Sequence, residues 1–524
     1  MGLLTKNKPK QFVQAPPVKD FCPSLDAPLL RFGKAPWTIG NACEGTLILG
    51  ATGSGKSSGS GAHIAKSYLL AGMGGLVLCA KPDEKARWIQ YAKACNREHH
   101  VIVMDGSGQE RFNFLDYALL RDGDGSGQTM NLVTLFIQLA EASHRGRGGD
   151  SSDPFWRDAM KELLSHSMDA LIAAYGRVRL HELQKFMETL PLPDDKRESG
   201  FCYQTMTKAY MKPLRKLPLH DWNVIDGYVF ENIRRMSDKT RSGIVSSFTS
   251  LAHSFIKGKM HTLFCTDSTL VPELTHEGAI IIVDLPVKQW DTAGILASQV
   301  MKYLFQKAAE RRNVNATSRP VFLWADECQF FLSEYDNEFQ STARSSRACT
   351  VYLTQNLSGI YSSIGGKHPE HAADALLGNL RTKIFHSNDN RTTNQWAADI
   401  IGKDVQIRGN YSDSQGSSES YSEGRNQSRG SSWGYSSGGQ HGSSNSSSNS
   451  SSGSNTGWSQ SSSSNRSRGG SETIDYRLQP SFFAEGLRTG GPKNKNLVDA
   501  VLFQPGQRFT DTGEHWGICS FPQG

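Results

Sequence analysis

The sequence predicts an α/β fold in which a mostly parallel central sheet, covered by helices on both faces, is interrupted by an all-helical insertion. Three observations predict it. Strand-length apolar runs alternate with helical stretches over the first hundred or so residues; residues 118–262 then lose the strand pattern; and strand runs return afterwards. The sheet is therefore assembled from two blocks far apart in the chain.

Taken in order, residues 1–35 are rich in Lys, Pro and Gln and read as an arm laid over a later domain. Residues 36–117 hold a strand at Gly45–Leu49, a glycine-rich turn, a helix through Leu70, and two more buried strands at Gly75–Cys79 and Val101–Met104. The polar segment Glu84–Asn96 forms a helix between those two strands. From 118 to 262, Leu, Met and Ala recur at helical spacing, as in Trp156–Ala174 and Arg241–Phe255. Residues 263–409 resume the sheet, with strands at Gly278–Leu285, Pro320–Ala325, Cys349–Thr354 and Lys383–His386. Residues 410–471 are almost entirely Ser, Gly, Asn and Gln, a composition that buries too little apolar surface to offset its ordering entropy, so a disordered insertion is expected there. Residues 472–524 return to folded character, with Val498–Phe503 reading as a strand.

Bulk properties narrow the function classes. The 57 basic and 51 acidic side chains leave a formal charge of +6, which permits a nucleic-acid partner without arguing for one. The nine cysteines are scattered with no CxxC and no zinc-like pairing with histidine, so buried free thiols are expected. The first ten residues carry no apolar signal region, and no apolar run approaches the roughly 20 residues of a bilayer span. A cytosolic protein is expected, with any membrane association peripheral or borrowed from a partner.

The chemistry-bearing motif is Gly50-Ala51-Thr52-Gly53-Ser54-Gly55-Lys56-Ser57, followed by Ser58. It fits G-x-x-x-x-G-K-[ST] and lies between a strand and a helix, as a phosphate-binding P-loop must. Glycines let successive backbone N–H groups curl around phosphate oxygens, Lys56 reaches the outer phosphates, and the Ser57 hydroxyl ligates Mg2+. ATP and Mg2+ are the cofactors expected. The matching half of the site is an acidic strand end, and Val321–Ala325 runs into Asp326 and Glu327. Asp326 is expected to hold the metal, with Ser57, and Glu327 to act as the general base toward water. Ile280–Val283 also ends in an acid, Asp284, but a proline follows at Pro286 and no base does, so it reads as a structural edge. Together these place the sheet in the RecA-like P-loop class, with an additional strand.

Several further segments resemble the type IV coupling proteins, the TraG/TraD class of conjugative DNA-transfer ATPases. They are Asp326-Glu327 with Cys328–Phe331, Arg344–Arg347 leading into Thr350–Ser358, Gly378–Phe385 with Gly402, Asn113–Asp116, and Thr240–Phe255. The similarity runs in order through 40–405 and resumes at 475–510. It implies that Gln355 senses the outer phosphate and that Arg344, with Arg347 as fallback, reaches a neighbouring subunit's nucleotide as an arginine finger. That in turn implies a homo-oligomeric ring, in the family generally a hexamer, with DNA as cargo and with a relaxase and type IV secretion channel components as partners. Two features depart from the family: no paired membrane helices precede the domain, and its Asp-Pro-Lys-Gly-like turn is here Cys79-Ala-Lys81-Pro82-Asp83. The resemblance implies an ATP-driven coupling motor. Alternatives are a HerA/FtsK-like DNA translocase working without a channel, or a nucleotide-dependent adaptor that binds protein substrates through the helical insertion.

Overall fold

The computed structural model describes residues 24–32, 35–120, 129–144, 154–192, 199–364, 369–426, 453–509 and 512–523. They fall into two compact units, one built from residues up to Ile401 together with Leu478–Gly524, the other Gly402–Arg477.

The first unit is organised by a nine-stranded sheet. Its strands are β3 (Thr46–Leu49), β4 (Gly74–Leu78), β5 (Val101–Asp105), β6 (Ile280–Asp284), β7 (Val321–Ala325), β8 (Ala348–Thr354), β9 (Thr382–Phe385), β12 (Leu497–Phe503) and β13 (Trp516–Pro522). They lie in the order β13-β12-β9-β3-β8-β7-β4-β6-β5. The seven from β9 to β5 are parallel, and β12 and β13 add an antiparallel edge. Strands β3, β4, β7 and β8 are buried along their whole length, because helices cover both faces of a parallel sheet. One strand, β8, separates the P-loop strand β3 from the acidic strand β7, which is the additional-strand order. A short antiparallel hairpin, β1 (Pro28–Phe32) with β2 (Ala35–Thr38), replaces the described end of the expected arm. Its Phe32 and Trp37 join the core over the helix Ser60–Leu70, where Trp37 stacks on Tyr68 at 6.1 Å.

Between β5 and β6 the described residues are helical without a strand, from Phe114–Leu120 through Gly258–Phe264. The two periodic segments read from the sequence lie within the helices Pro154–Tyr175 and Asp238–Ile256. Phe114, Phe136, Phe248, Phe255 and Phe264 interlock edge to face in the core of this region. Asn113 closes it. Its amide donates to Asp116 Oδ2 at 2.8 Å and to Thr266 O at 2.9 Å, tying the point where the chain enters the helices to the point where it leaves. The eight described cysteines are free thiols; Cys22 lies outside the described residues.

The second unit corrects the expectation of disorder over 410–471. Its described residues form β10 (Lys403–Asn426) and β11 (Gly453–Tyr476), paired antiparallel in unbroken register from Lys403↔Tyr476 to Asn426↔Gly453. A composition test asks only whether side chains can build a core. A two-stranded ladder instead satisfies backbone N–H and C=O groups within itself, which polar side chains do not oppose. The part of the tract at 427–452 lies outside the described residues.

One polar group in the core stands out. Lys302, on the helix Val287–Arg311, and Asp336, on the helix Tyr335–Thr342, form an ion pair with both side chains 1% exposed. Asp336 also accepts from Gln306 at 2.8 Å, from the Tyr352 hydroxyl at 2.7 Å and from Ser333 N at 2.6 Å. Lys302 otherwise donates to Phe331 O and, at longer range, to Ser333. Removing the acid therefore strands a charge with few acceptors, whereas removing the lysine leaves a carboxylate with three neutral donors. Asp336→Leu is expected to lower unfolding free energy by about 3–5 kcal/mol, and Lys302→Met by less. Urea unfolding of the two variants checks the order.

Candidate nucleotide site

In register, β3 and β8 end together, and β7 and β4 end together two residues short of them. Leu49 of β3 sits opposite Thr354 of β8, Tyr352 of β8 opposite Ala325 of β7, and Ala325 opposite Leu78 of β4. The residues that follow these strand ends, Gly50, Gln355, Asp326 and Ala80-Lys81, accordingly meet along one carboxyl edge.

The P-loop forms the floor. Gly53 and Gly55 hold φ of +78° and +83°, which side chains with a Cβ resist, and space above Gly53 is open for 4 Å around where a Cβ would stand. Ala51 N bonds to Ser387 O at 2.9 Å and Ser54 N to Ala51 O at 3.1 Å, fixing the curl of the loop. Ser58 accepts from Gln523 at 2.7 Å. The Ser54 hydroxyl is buried without a hydrogen-bond partner among the described residues. The helix proper begins at Ser60, after a turn closed by Gly59 N to Gly55 O and Gly61 N to Lys56 O.

The other residues expected at the site converge on this floor. The Ser57 hydroxyl donates to Asp326 Oδ2 at 2.7 Å, so two hard oxygen donors from distant parts of the chain stand together. Lys56 Nζ, 6% exposed, lies 3.7 Å from Glu327 Oε1. Gln355 donates to the same oxygen at 3.1 Å and accepts from Thr52 at 3.2 Å, linking loop, base and neighbouring strand. An open glycine cradle, a buried lysine and a Ser–Asp oxygen pair fit a magnesium-bound nucleoside triphosphate.

Glu327 is held in the left-handed region at φ +52°, an uncommon conformation for a residue with a side chain, and is itself buried. That backbone twist follows the sheet's last β7 residue and turns the carboxylate back across the carboxyl edge. Three donors that the sequence reading left without a role act here. Lys81 donates to Oε1 at 2.6 Å, Gln329 to Oε2 at 2.9 Å, and Gln329 in turn accepts from Thr354 at 2.9 Å. Burial pushes the Glu327 carboxyl up, but the bonds from Lys81 and Gln329, the Lys56 charge and the bond from Gln355 outweigh it and hold it near about 2. Glu84 goes the other way. Burial and the nearby Asp326 raise it to about 9, so it is the protonated member of the acidic group, accepting Ala80 N at 2.9 Å. The one sequence signal for Lys81 was its place in the turn after β4.

Two expected residues are not brought to this cluster within the chain. Arg344, 64% exposed, pairs with Glu44 at 3.4 Å. Arg347, the fallback, is largely buried at φ +48° and donates to Ala316 O and Ser318 O at 3.2 and 2.9 Å, a structural anchorage. Asp284, read as a structural edge, pairs with Lys85 at 2.6 Å.

Comparisons with known proteins meet this geometry from two sides. Residues 320–437, which include β7, Asp326, Glu327, Gln355 and β9, match the family described as the TraM recognition site of TraD and TraG. Among solved structures, the bacterial conjugative coupling protein TrwBdeltaN70 in its unbound monoclinic form superposes with a TM-score of 0.54 at 13% identity, covering 94% of this chain and 88% of that one. The plasmid coupling protein TrwB in complex with ADP and Mg2+ gives a TM-score of 0.55 at 12% identity, again covering 94% and 88%. The complex of TrwB with a non-hydrolysable ATP analogue gives 0.54 at 12% identity. At these identities the likeness is one of fold. Sequence match and fold together bear out the resemblance to the TraG/TraD class. A search of curated proteins found no match.

His386, at the carboxyl end of β9, bridges Ser60 Oγ at 2.7 Å and Asp499 O at 3.2 Å and is fully buried. Burial is the main cause that pushes its pKa down to about 3. An unfolded histidine titrates near 6.5, so between those values the unfolded chain binds more protons and stability falls as pH falls. Unfolding midpoints measured from pH 7 down to pH 4 should decline by up to about 1.4 kcal/mol per pH unit from this group. His386→Asn should flatten that slope.

Proposed function

We propose that this chain is an ATP-hydrolysing motor of the coupling kind, acting on DNA or a DNA–protein complex. The observation that carries the reading is the convergence of Lys56 and Ser57 on Asp326 and Glu327, from segments about 270 residues apart.

In this reading the backbone of Gly50–Ser58 and the Lys56 ammonium hold the phosphates of ATP. Ser57 and Asp326 hold Mg2+, which supplies charge neutralisation on the phosphate oxygens. Glu327, fixed by Lys81 and Gln329, orients the attacking water. Its low pKa makes it an acceptor of a hydrogen bond more than a sink for a proton until the nucleophile has begun to bond. Gln355, bonded to both Thr52 and Glu327, reports the state of the phosphate end to β8. Arg344 stands in solvent beside Glu44, and that exposure suits a finger offered to a neighbouring subunit in a ring, hexameric as the class implies. The domain reading follows: a nucleotide-binding domain from 36–117, 263–409 and 472–524, with 118–262 as the inserted helical domain. The 320–437 match suggests that a partner such as the one named in the family's description, or a relaxase, docks near the site, with secretion-channel components supplying any membrane contact.

Purified protein is expected to hydrolyse ATP faster with DNA at low salt, the stimulation falling steeply as salt rises. Absence of stimulation by both single- and double-stranded DNA removes DNA from the reading and leaves an adaptor. Glu327→Gln should lower kcat by roughly 10²–10⁴-fold with nucleotide affinity retained, whereas Lys56→Ala should weaken nucleotide binding itself. Lys81→Met removes a charge-assisted hydrogen bond of about 1.5–3 kcal/mol from the base. Its kcat should drop about tenfold or more at unchanged nucleotide affinity, and Lys81→Arg should restore part of it.

A further inference from the structure

The helical insertion carries a surface whose chemistry the nucleotide site does not use. The helix Phe201–Met211 stops at Lys212, followed by Pro213, and the chain crosses to the helix Leu219–Gly227. Along this crossing Tyr210 is 62% exposed, Met211 69%, Leu214 69%, Leu219 71% and Val224 46%. Single exposed apolar residues are ordinary; five between Tyr210 and Val224, across two helix ends and the crossing that joins them, make a patch.

The patch is both ordered and charged. Leu214 N bonds to Ala173 O at 2.8 Å, pinning the crossing to the helix Pro154–Tyr175. Tyr210 lies 5.5 Å from the Trp222 ring, and Lys208 Nζ sits 4.1 Å from the Tyr175 ring. Met211 and Lys212, with Tyr203, Gln204, Thr207 and Lys208, line a concavity of about 440 Å³. Lys208, Lys212, Arg215 and Lys216 are exposed between residues 208 and 222, where Asp221 is the one carboxylate, and Asp169 of the helix Pro154–Tyr175 faces Arg215 and Asp221.

We propose that this surface docks an acidic, apolar peptide segment of a partner protein. Apolar side chains of that segment seat against Met211, Leu214 and Leu219, and its carboxylates face Lys212, Arg215 and Lys216. Charge complementarity selects this occupant: four cations against the two carboxylates Asp221 and Asp169 call for negative charge. A second copy of this chain carries a net charge of +6 and is the poorer match. Nucleic acid would satisfy the cations, but phosphates give Met211, Leu214 and Leu219 no apolar surface to bury. An acidic peptide with apolar anchors satisfies both sets, in the manner of a helix or strand laid into a groove.

Selection of a random peptide library against the full chain tests this directly. Enriched sequences are expected to cluster Asp and Glu with Leu, Ile or Phe. Their affinity should fall about tenfold or more for the double variant Arg215→Glu/Lys216→Glu, and comparably for Leu214→Ser/Leu219→Ser, hot-spot-sized losses at a small interface. Because all four positions are exposed, ATP turnover and the unfolding midpoint should be unchanged in both variants, which separates a lost docking site from a lost fold. Any of four results overturns the proposal: enrichment without an acidic–apolar consensus, no enrichment, affinity unmoved by both variants, or the variants abolishing only binding of a labelled single-stranded oligonucleotide. A fall in oligomeric state by light scattering, with peptide affinity unmoved, would instead assign the patch to a second copy.

Discussion

Four parallel strands whose carboxyl ends fall within two residues of one another impose the arrangement on which the rest of the molecule depends. Because β3, β8, β7 and β4 are paired without a register slip at their carboxyl ends, the loops after them cannot avoid one another. Each strand alone is an apolar run with no chemistry. Side by side, they bring a phosphate cradle, a glutamine, two acids and a lysine within hydrogen-bond reach, although the chain supplies them from residue 50 to residue 355. The helical insertion between β5 and β6 can be long because its ends are pinned together by Asn113, so the sheet sees only a closed loop there.

Within that edge the charges are arranged unequally. Asp326, Glu327 and Glu84 are three buried carboxyl groups close together, and three such charges would repel strongly in a medium less polar than water. The structure resolves this by giving the cations to one of them. Lys81 and Lys56 both pair with Glu327, which is thereby kept ionised, while Glu84 accepts one backbone N–H, and burial and Asp326 outweigh the more distant charges of Lys81 and Arg87 to raise it to about 9. Glu327 and Glu84 are thus separated in character by their neighbours, not by their chemistry.

Much of this was legible in the sequence because the relevant signals are local. The P-loop spelling, the apolar runs and the Asp326-Glu327 strand end each lie within a few residues, and strand bounds read from them agree with β3 to β9 to within one or two positions. What escaped depended on pairing between distant segments. Lys81 has no local mark as a partner of Glu327; only the adjacency of β4 and β7 makes it one. Strand β13 carries Gly517, Ser520 and Pro522 among its apolar residues, which blurs its period, and it owes its place to β12. The ribbon of β10 and β11 escaped for the same reason, since a ladder between two polar strands leaves no hydrophobic period to read.

The buried Lys302–Asp336 pair gains its meaning from where it lies. Glu327 leads through Cys328–Phe330 to Phe331, whose carbonyl accepts from Lys302, and Lys302 grips Asp336 at the start of the helix that precedes Arg344. Tyr352 on β8, three residues before Gln355, donates to the same aspartate. On its far side the helix carrying Lys302 meets the helical insertion, where the Tyr303 hydroxyl bonds Asn131 O at 3.3 Å. An apolar core would pack as well and cost less desolvation, but it would leave these segments free to slide. Interlocked polar groups have few alternative arrangements, so the loop bearing Glu327, the strand bearing Gln355 and the helix leading to Arg344 are held in one geometry. The motor proposed above would need those three to answer to the same nucleotide, and a shared buried carboxylate is the simplest physical means of keeping them in step.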